Sequence, residues 1–418
     1  MRVVLAAVGS RGDVAPFGAL AARLQETGHD AHLVTHATLA ACVPRGVPLV
    51  PVDSDPQRLL AGPAAEALRR GDLRAVNRTR GEFADFLSSF FEPTSDALED
   101  ADVLVASTFA LAPVDAALSR RVPVIRAHMW PENRSLGGPM PLLPFSWLLP
   151  SPLRRGMRGA LRRVERYFGG FDGGWTRGRL RLHPHHPVGL STATHGTLLA
   201  VSPAVLPASR IEGCATGWWW PESVTSPSSG LGPVSTTTSP WVSMTFGSMP
   251  QDDLERVLTV VSWAAERVGV RALVQLAGAE GFDDGTVLGI GEEPHAALFA
   301  RVDLAVHHGG SGTTGAVARA GIPSVVVPHL ADQFYWGHRL RTVGVAPPML
   351  PRGMLTGERL ARRIETGLRP EMRRRAAELG RRVRSEDGTG EAVRVLVDAV
   401  ERPERRTGGP RSTRGRSG

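Results

Sequence analysis

Two short groups of residues have the types and spacing to do chemistry. The first is Val306-His307-His308-Gly309-Gly310-Ser311-Gly312-Thr313-Thr314, followed by a helix-like stretch through Ala316, Val317 and Ala320 to Gly321. Glycines let backbone N–H groups approach a ligand, and the free N–H groups and positive end of a helix favour an anion. The pattern reads as a phosphate seat, with His307 at a strand end placed to donate to a pyrophosphate oxygen and Ser311, Thr313 and Thr314 adding hydroxyls. A Gly-rich strand-to-helix turn with two incidental histidines has the same spelling. The second group is Gly9-Ser10-Arg11-Gly12-Asp13, directly after the apolar run Val3 to Val8. Asp13 sits where the clefts of parallel sheets open, and an Asp there can act as a general base or cap the following helix.

Other chemistries fit less well. No Gly-Lys-Ser/Thr follows the glycines, so the first group is not a P-loop. Gly310 to Gly315 matches Gly-x-Gly-x-x-Gly, but the strand Ser324 to Val327 ends in Pro328-His329 rather than the acidic residue a dinucleotide site needs. His183-Pro184-His185-His186 is broken by proline and lacks a metal-ligand spacing, so it reads as a solvated loop. His29, His32 and His36 lie well past the first turn and rank below Asp13 as a base.

The elements that must position these groups follow an alternating pattern. Apolar runs at Val3 to Val8, His32 to Thr35, Val47 to Val50, Val103 to Ala106 and Val122 to Ile125 alternate with helix-like stretches from Phe17 to Leu24 and Asp115 to Leu118. Pro16 suits a first helical turn, and Gly28 is placed to end that helix. A second series runs through Trp241 to Phe246, a helix over Leu254 to Val268, Leu273 to Leu276, Val302 to Val306 and Ser324 to Val327. This predicts an α/β chain of two similar halves with parallel sheets and a cleft between them. The expected division is residues 1–205, a polar connector at 206–240, a second unit at 241–385, a C-terminal helix at 386–401 packing back on the first unit, and a disordered Arg-rich tail at 402–418.

Composition narrows the class. At 418 residues with 42% hydrophobic content the chain has material for more than one core. Two cysteines, Cys42 and Cys214, are too few for a disulfide framework and point to a reducing compartment. The net charge of +8 is concentrated at the end, where residues 402–418 hold six arginines and one glutamate, leaving the rest nearly balanced and disfavouring nucleic acid. No apolar run approaches the roughly 18 residues of a membrane span, and the N-terminal run is too short for a signal peptide. A cytoplasmic protein is expected, with peripheral membrane association left open by the basic tail.

Taken in order, these motifs resemble a known family. His307 to Thr314, Gly321-Ile322-Pro323-Ser324-Val325-Val326-Val327-Pro328, and Asp332-Gln333-Phe334-Tyr335-Trp336-Gly337 together resemble the donor signature of nucleotide-sugar glycosyltransferases of the family 1 type. The nearest likeness is to bacterial macrolide and glycopeptide antibiotic glycosyltransferases and to sterol glucosyltransferases, and Gly9 to Phe17, Thr216 to Trp220 and Phe246 to Met249 match in the same order. The resemblance implies the GT-B fold and an inverting, metal-independent transfer of a hexose from a UDP- or TDP-hexose to a hydroxyl of a hydrophobic small molecule. It implies no permanently bound cofactor.

By the same resemblance Asp13 is the general base. Ser10, Arg11, Ser248, His307, Gly309, Gly310, Ser311, Gly312 and Thr313 meet the phosphates, and Asp332 and Gln333 hold the sugar hydroxyls. Glu293, Pro294 and His295 face the nucleobase, and Met129, Trp130, Phe145 and Trp147 lie where the acceptor pocket is built. From the residues alone, Asp332 also reads as a helix start, and the aromatic residues are equally core. A sterol or lipid acceptor, or a catalytically silent auxiliary to a partner glycosyltransferase, stand as alternatives, as does a nucleotide-sugar epimerase on a related fold.

Overall fold

The computed structural model describes residues 1–62, 82, 85–131, 145–150, 152–154, 156–157, 159, 193–206, 213–220, 239–247, 253–330 and 332–401. Ser248, the histidines at 183–186 and the tail at 402–418 lie outside the described residues.

Two parallel sheets account for the core. The first contains β1 (Arg2–Ala6), β2 (Asp30–His36), β3 (Leu49–Val52), β4 (Val103–Ala106), β5 (Val124–His128), β6 (Gly196–Leu199) and β7 (Cys214–Ala215), in the order β3-β2-β1-β4-β5-β6-β7. The second contains β8 (Trp241–Thr245), β9 (Arg271–Gln275), β10 (Val287–Gly289), β11 (Leu304–His307) and β12 (Ser324–Val326), in the order β10-β9-β8-β11-β12. All paired strands in both are parallel. Val4, Leu5, Ala6, Leu104, Val105, Ala305 and Val306 are fully buried, as strands covered by helices on both faces require. Each sheet reverses its strand order once, between β1 and β4 and between β8 and β11. Ligands of open α/β sheets bind at such switch points, outside the carboxyl ends of the strands.

The helices around the first sheet are α1 (Arg11–Glu26), α2 (Pro56–Ala61), α3 (Phe91–Ala97) and α4 (Leu111–Ser119). Those of the second are α5 (Leu254–Val268), α6 (His295–Phe299), α7 (Ser311–Ala320), α8 (Gln333–Thr342), α9 (Gly357–Gly367) and α10 (Pro370–Arg384). A last helix, α11 (Gly388–Glu401), crosses back onto α1, and Ala392, Val393, Val395 and Leu396 share one apolar cluster with Phe17, Leu20 and Leu24. Helix α1 begins at Arg11, which puts Pro16 inside the helix rather than in its first turn. Gly28 follows the C-cap residue Thr27 at φ +84°, the left-handed stop its sequence position suggested.

The connector expected at 206–240 departs from its sequence reading. Cys214 and Ala215 pair with β6, and Trp218 and Trp219 are buried in the large cluster that also holds α1 and α11. Trp219 donates its indole N–H to the Thr216 hydroxyl at 2.9 Å and meets Phe17 edge-on at 5.7 Å. Trp218 lies on α7, where a Cβ added at Gly315 would come within 2.7 Å of its indole ring. The third glycine of the Gly-x-Gly-x-x-Gly pattern therefore admits a tryptophan from the other half of the molecule.

Candidate active site

The turn from β1 into α1 is fixed by its own polar groups. Asp13 is the third residue of α1, and its Oδ2 accepts from the Ser10 backbone N–H at 2.8 Å and the Ser10 hydroxyl at 2.9 Å. The capping role open to Asp13 is thus real, but it occupies one carboxylate oxygen. Among the described residues Oδ1 has no partner. Burial raises the Asp13 pKa above the usual carboxylate value, opposed by the two Ser10 bonds. Gly9 approaches so closely, at φ +140°, that a Cβ there would stand 2.4 Å from Asp13 Oδ2.

At the other switch point the glycines shape the turn into α7. Gly309 takes φ +93°, and a Cβ on it would meet Val326 Cγ1 at 2.8 Å and the Gln333 carbonyl at 3.0 Å. Gly310 is the N-cap of α7, and the first intrahelical bond runs from Thr314 N–H to Gly310 O at 2.8 Å. The N–H groups of Ser311, Gly312 and Thr313 therefore have no intrahelical acceptor and form an anion seat at the helix start.

The two histidines behave differently. His307 is fully buried, its Nδ1 accepts from the Gly309 N–H at 3.2 Å, and its Nε2 meets the Ser324 hydroxyl at 3.1 Å. Both ring nitrogens are engaged inside the protein, so the ring shapes the turn instead of reaching toward a ligand. Its pKa is driven down to about 3, chiefly by burial and further by His308 and His295. His308 flanks the seat, since a Cβ on Gly310 or Gly247 would lie 2.5 or 3.1 Å from its ring. The His308 Nδ1 is buried without a hydrogen-bond partner among the described residues. Burial, then His329 and His295, push its pKa to about 3, with the Thr245 backbone opposing, so this ring is neutral.

Asp332 begins α8 and accepts the Trp336 indole N–H at 2.9 Å. Its pKa rises to about 7, first through burial, with Trp336 opposing and the charge of Asp13 adding to the rise. Gln333 turns its Oε1 inward to the backbone N–H groups of His329 at 2.7 Å and Leu330 at 3.1 Å, which makes it a brace for the loop carrying Asp332.

Several expected ligand contacts are made instead between the halves. The Ser311 hydroxyl donates to the Met129 carbonyl at 2.7 Å, and Arg11 pairs with Glu292. Glu293 is held by a backbone bond to the Gln275 side chain at 3.3 Å, while His295 opens α6 after Pro294 and stacks on Phe299 at 5.1 Å. Met129 and Trp130 are each 6% exposed and belong to the core cluster, because they directly follow the buried end of β5. They are floor rather than open wall. Phe145 is 43% exposed and packs edge-on against Phe334 at 5.1 Å; the side chain of Trp147 lies outside the described residues. Sequence reasoning gave no role to His308 and ranked His36 low, and it missed His128, whose Nδ1 meets the Thr108 hydroxyl at 2.8 Å beside β4 and β5. A buried histidine at the end of a parallel strand was the available signal. Among the described residues no group of three or more His, Cys, Asp or Glu could hold a metal ion.

Two Rossmann-like sheets whose switch points carry a carboxylate on one side and a Gly-rich helix start on the other define the GT-B class. Residues 3–128 match the glycosyltransferase family 28 N-terminal domain, and residues 286–398 match the C-terminal domain of erythromycin biosynthesis protein CIII-like proteins. The chain has the GT-B fold and is related to bacterial natural-product glycosyltransferases and sterol glucosyltransferases.

A sterol 3-beta-glucosyltransferase of Komagataella phaffii is 27% identical over 430 residues, which cover 96% of this chain and 34% of that protein. One from Arabidopsis thaliana is 27% identical over 451 residues, covering 96% of this chain and 68% of its own length. The chain thus spans about a third of the length of the fungal relative. Among solved structures, the glycotransferase of kitacinnamycin has a TM-score of 0.68 at 20% identity, covering 95% of this chain and 98% of its own. The calicheamicin glycosyltransferase CalG4 has a TM-score of 0.65 at 18% identity, covering 96% and 99%. These likenesses establish the shared fold.

Proposed function

We propose that the chain transfers a hexose, with inversion, from a nucleotide diphosphate sugar to a hydroxyl of an apolar small molecule. The observation that carries this reading is the placement at the two switch points of Asp13, with one oxygen unpartnered among the described residues, and of the Gly-rich start of α7, joined across the junction by the Ser311 hydroxyl on the Met129 carbonyl. In the reaction the anomeric carbon–oxygen bond to the diphosphate breaks and the diphosphate leaves with the electron pair. The acceptor oxygen bonds to that carbon from the opposite side, and its proton passes to Asp13 Oδ1. The N–H groups of Ser311, Gly312 and Thr313 take up the growing phosphate charge, and His308 supplies the ring contact first expected of His307. Ser248 remains assigned to the phosphates from the facing loop, Gln333 supports Asp332, and the Glu293-Pro294-His295 turn is assigned to the nucleobase.

The sequence relatives favour a sterol or comparable polycyclic lipid alcohol as the acceptor over a polyketide or peptide aglycone. The test is to incubate the purified chain with UDP-glucose or a TDP-hexose and either a 3β-hydroxysterol or a macrolide aglycone, following the mass gain of one hexose. Product with the sterol is expected. No product from any donor and acceptor pair would sink the reading, and product with the macrolide alone would restore the antibiotic-type acceptor.

Asp332 adds a pH signature. With its pKa raised to about 7, the folded protein holds a proton there that the unfolded chain releases near the ordinary carboxylate value of 3.8. This group therefore costs stability as pH rises from about 4 toward 7, by linkage. The ionised form accepts sugar hydroxyls more strongly, so donor-sugar affinity should fall below pH 7, and Asp332→Asn should flatten that dependence. Calorimetric titration of the sugar nucleotide between pH 5.5 and 8.5, roughly the window in which such a group titrates, checks both.

A further inference from the structure

His36 is the last residue of β2 and is fully buried, yet it makes two polar contacts at the edge of the candidate site. Its Nε2 accepts the Gly9 backbone N–H at 3.0 Å, and its Nδ1 meets the Ser54 hydroxyl at 2.7 Å. An amide can only donate, so Nε2 carries the lone pair and Nδ1 the hydrogen, which fixes the tautomer. The ring is further held by Phe86, stacked at 5.2 Å, and Phe90, edge-on at 4.9 Å. Burial pushes its pKa to about 4, against the bond at Ser54 and the charge of Asp55, so the acceptor is available across the neutral range.

Gly9 is the residue whose α-carbon lies against the Asp13 carboxylate, in a backbone conformation that other residues rarely adopt. A packed imidazole thus grips the amide of the residue that walls in the proposed base. We propose that His36 is a positioning residue, anchored by Ser54 and two phenylalanine rings, that holds Gly9 in place and thereby sets the direction of the Asp13 carboxylate. The proposal rests on the reading of Asp13 as the base, and it adds a second histidine layer that does not touch substrate.

The full-length protein carrying His36→Phe keeps a ring between Phe86 and Phe90 but cannot accept from Gly9. His36→Gln supplies an amide oxygen in its place. For His36→Phe, kcat is expected to fall about 100-fold, nucleotide diphosphate Kd to stay within about twofold, and exchange protection of the Gly9 amide to be lost, since small misplacements of a reacting group cost about this much. His36→Gln should recover most of the turnover and the protection. Wild-type kcat in His36→Phe would overturn the proposal. So would failure of His36→Gln to recover turnover, with nucleotide affinity falling in parallel, which would mark a role in the fold alone. Should His36→Phe not fold, Ser54→Ala frees the ring, and about a tenfold fall in kcat with unchanged nucleotide affinity is expected on the same grounds; unchanged kcat would overturn it. Exchange at Gly9 reports the grip itself, so full turnover in Asp13→Asn would remove the base while leaving that measurement decisive for His36.

Discussion

Asp13→Asn is expected to lower turnover by about 10²- to 10⁴-fold, the range for loss of a general base, while nucleotide diphosphate affinity stays within about threefold. The substitution is chosen because the Asn Oδ1 can still accept from the Ser10 N–H and hydroxyl, so the start of α1 is kept. What disappears is the second oxygen, the one free to take a proton. Burial raises the Asp13 pKa, which strengthens the carboxylate as a base. Unchanged turnover would strike Asp13 from the mechanism, and a parallel loss of nucleotide binding would show that the turn had collapsed instead.

The second large effect separates the two adjacent histidines. His308→Ala should weaken nucleotide diphosphate binding by about 10- to 100-fold, the value of a hydrogen bond to a charged group, with little change in unfolding midpoint. His307→Ala should do the reverse. It strands the Gly309 N–H and the Ser324 hydroxyl in the interior, at a cost of about 1–3 kcal/mol in folding stability before any loss of packing. Denaturant unfolding and nucleotide titration on both variants decide the matter. A stable His307→Ala protein with the larger binding defect would return the phosphate contact to His307.

The pattern of what could be read in advance has a physical basis. Segments such as Val3 to Val8 and Trp241 to Phe246 announce buried strands because they are too short for a helix, are rich in β-branched and aromatic residues and are followed by glycine, and both sheets formed there. Strands β6, β7 and β10 escaped because Gly196-Thr197, Cys214-Ala215 and Gly289 leave no continuous run of β-branched apolar residues, whereas the equally short β4 and β12 are rich in valine. The glycine pattern at 309–315 located the helix start correctly, since backbone freedom is a local property. Side-chain direction is not local. Whether His307 or His308 faces outward depends on the alternation of β11 and on Ser324 in the next strand, and the occupation of Ser311 by Met129 depends on the other half of the molecule. Trp218 looked like connector and proved to be core because its partner, Gly315, lies 97 positions away.

The return of α11 to α1 has a consequence for how the chain reaches this state. The apolar stripe of Phe17, Leu20 and Leu24 is covered in part by Val393, Val395 and Leu396, and Arg23 is bonded to Asp387 at 3.3 Å. The ribosome delivers those covering residues almost four hundred positions after the surface they shield. The leading half therefore emerges with an unfinished interior and must wait, sticky and unsealed, until the trailing helix arrives to close it.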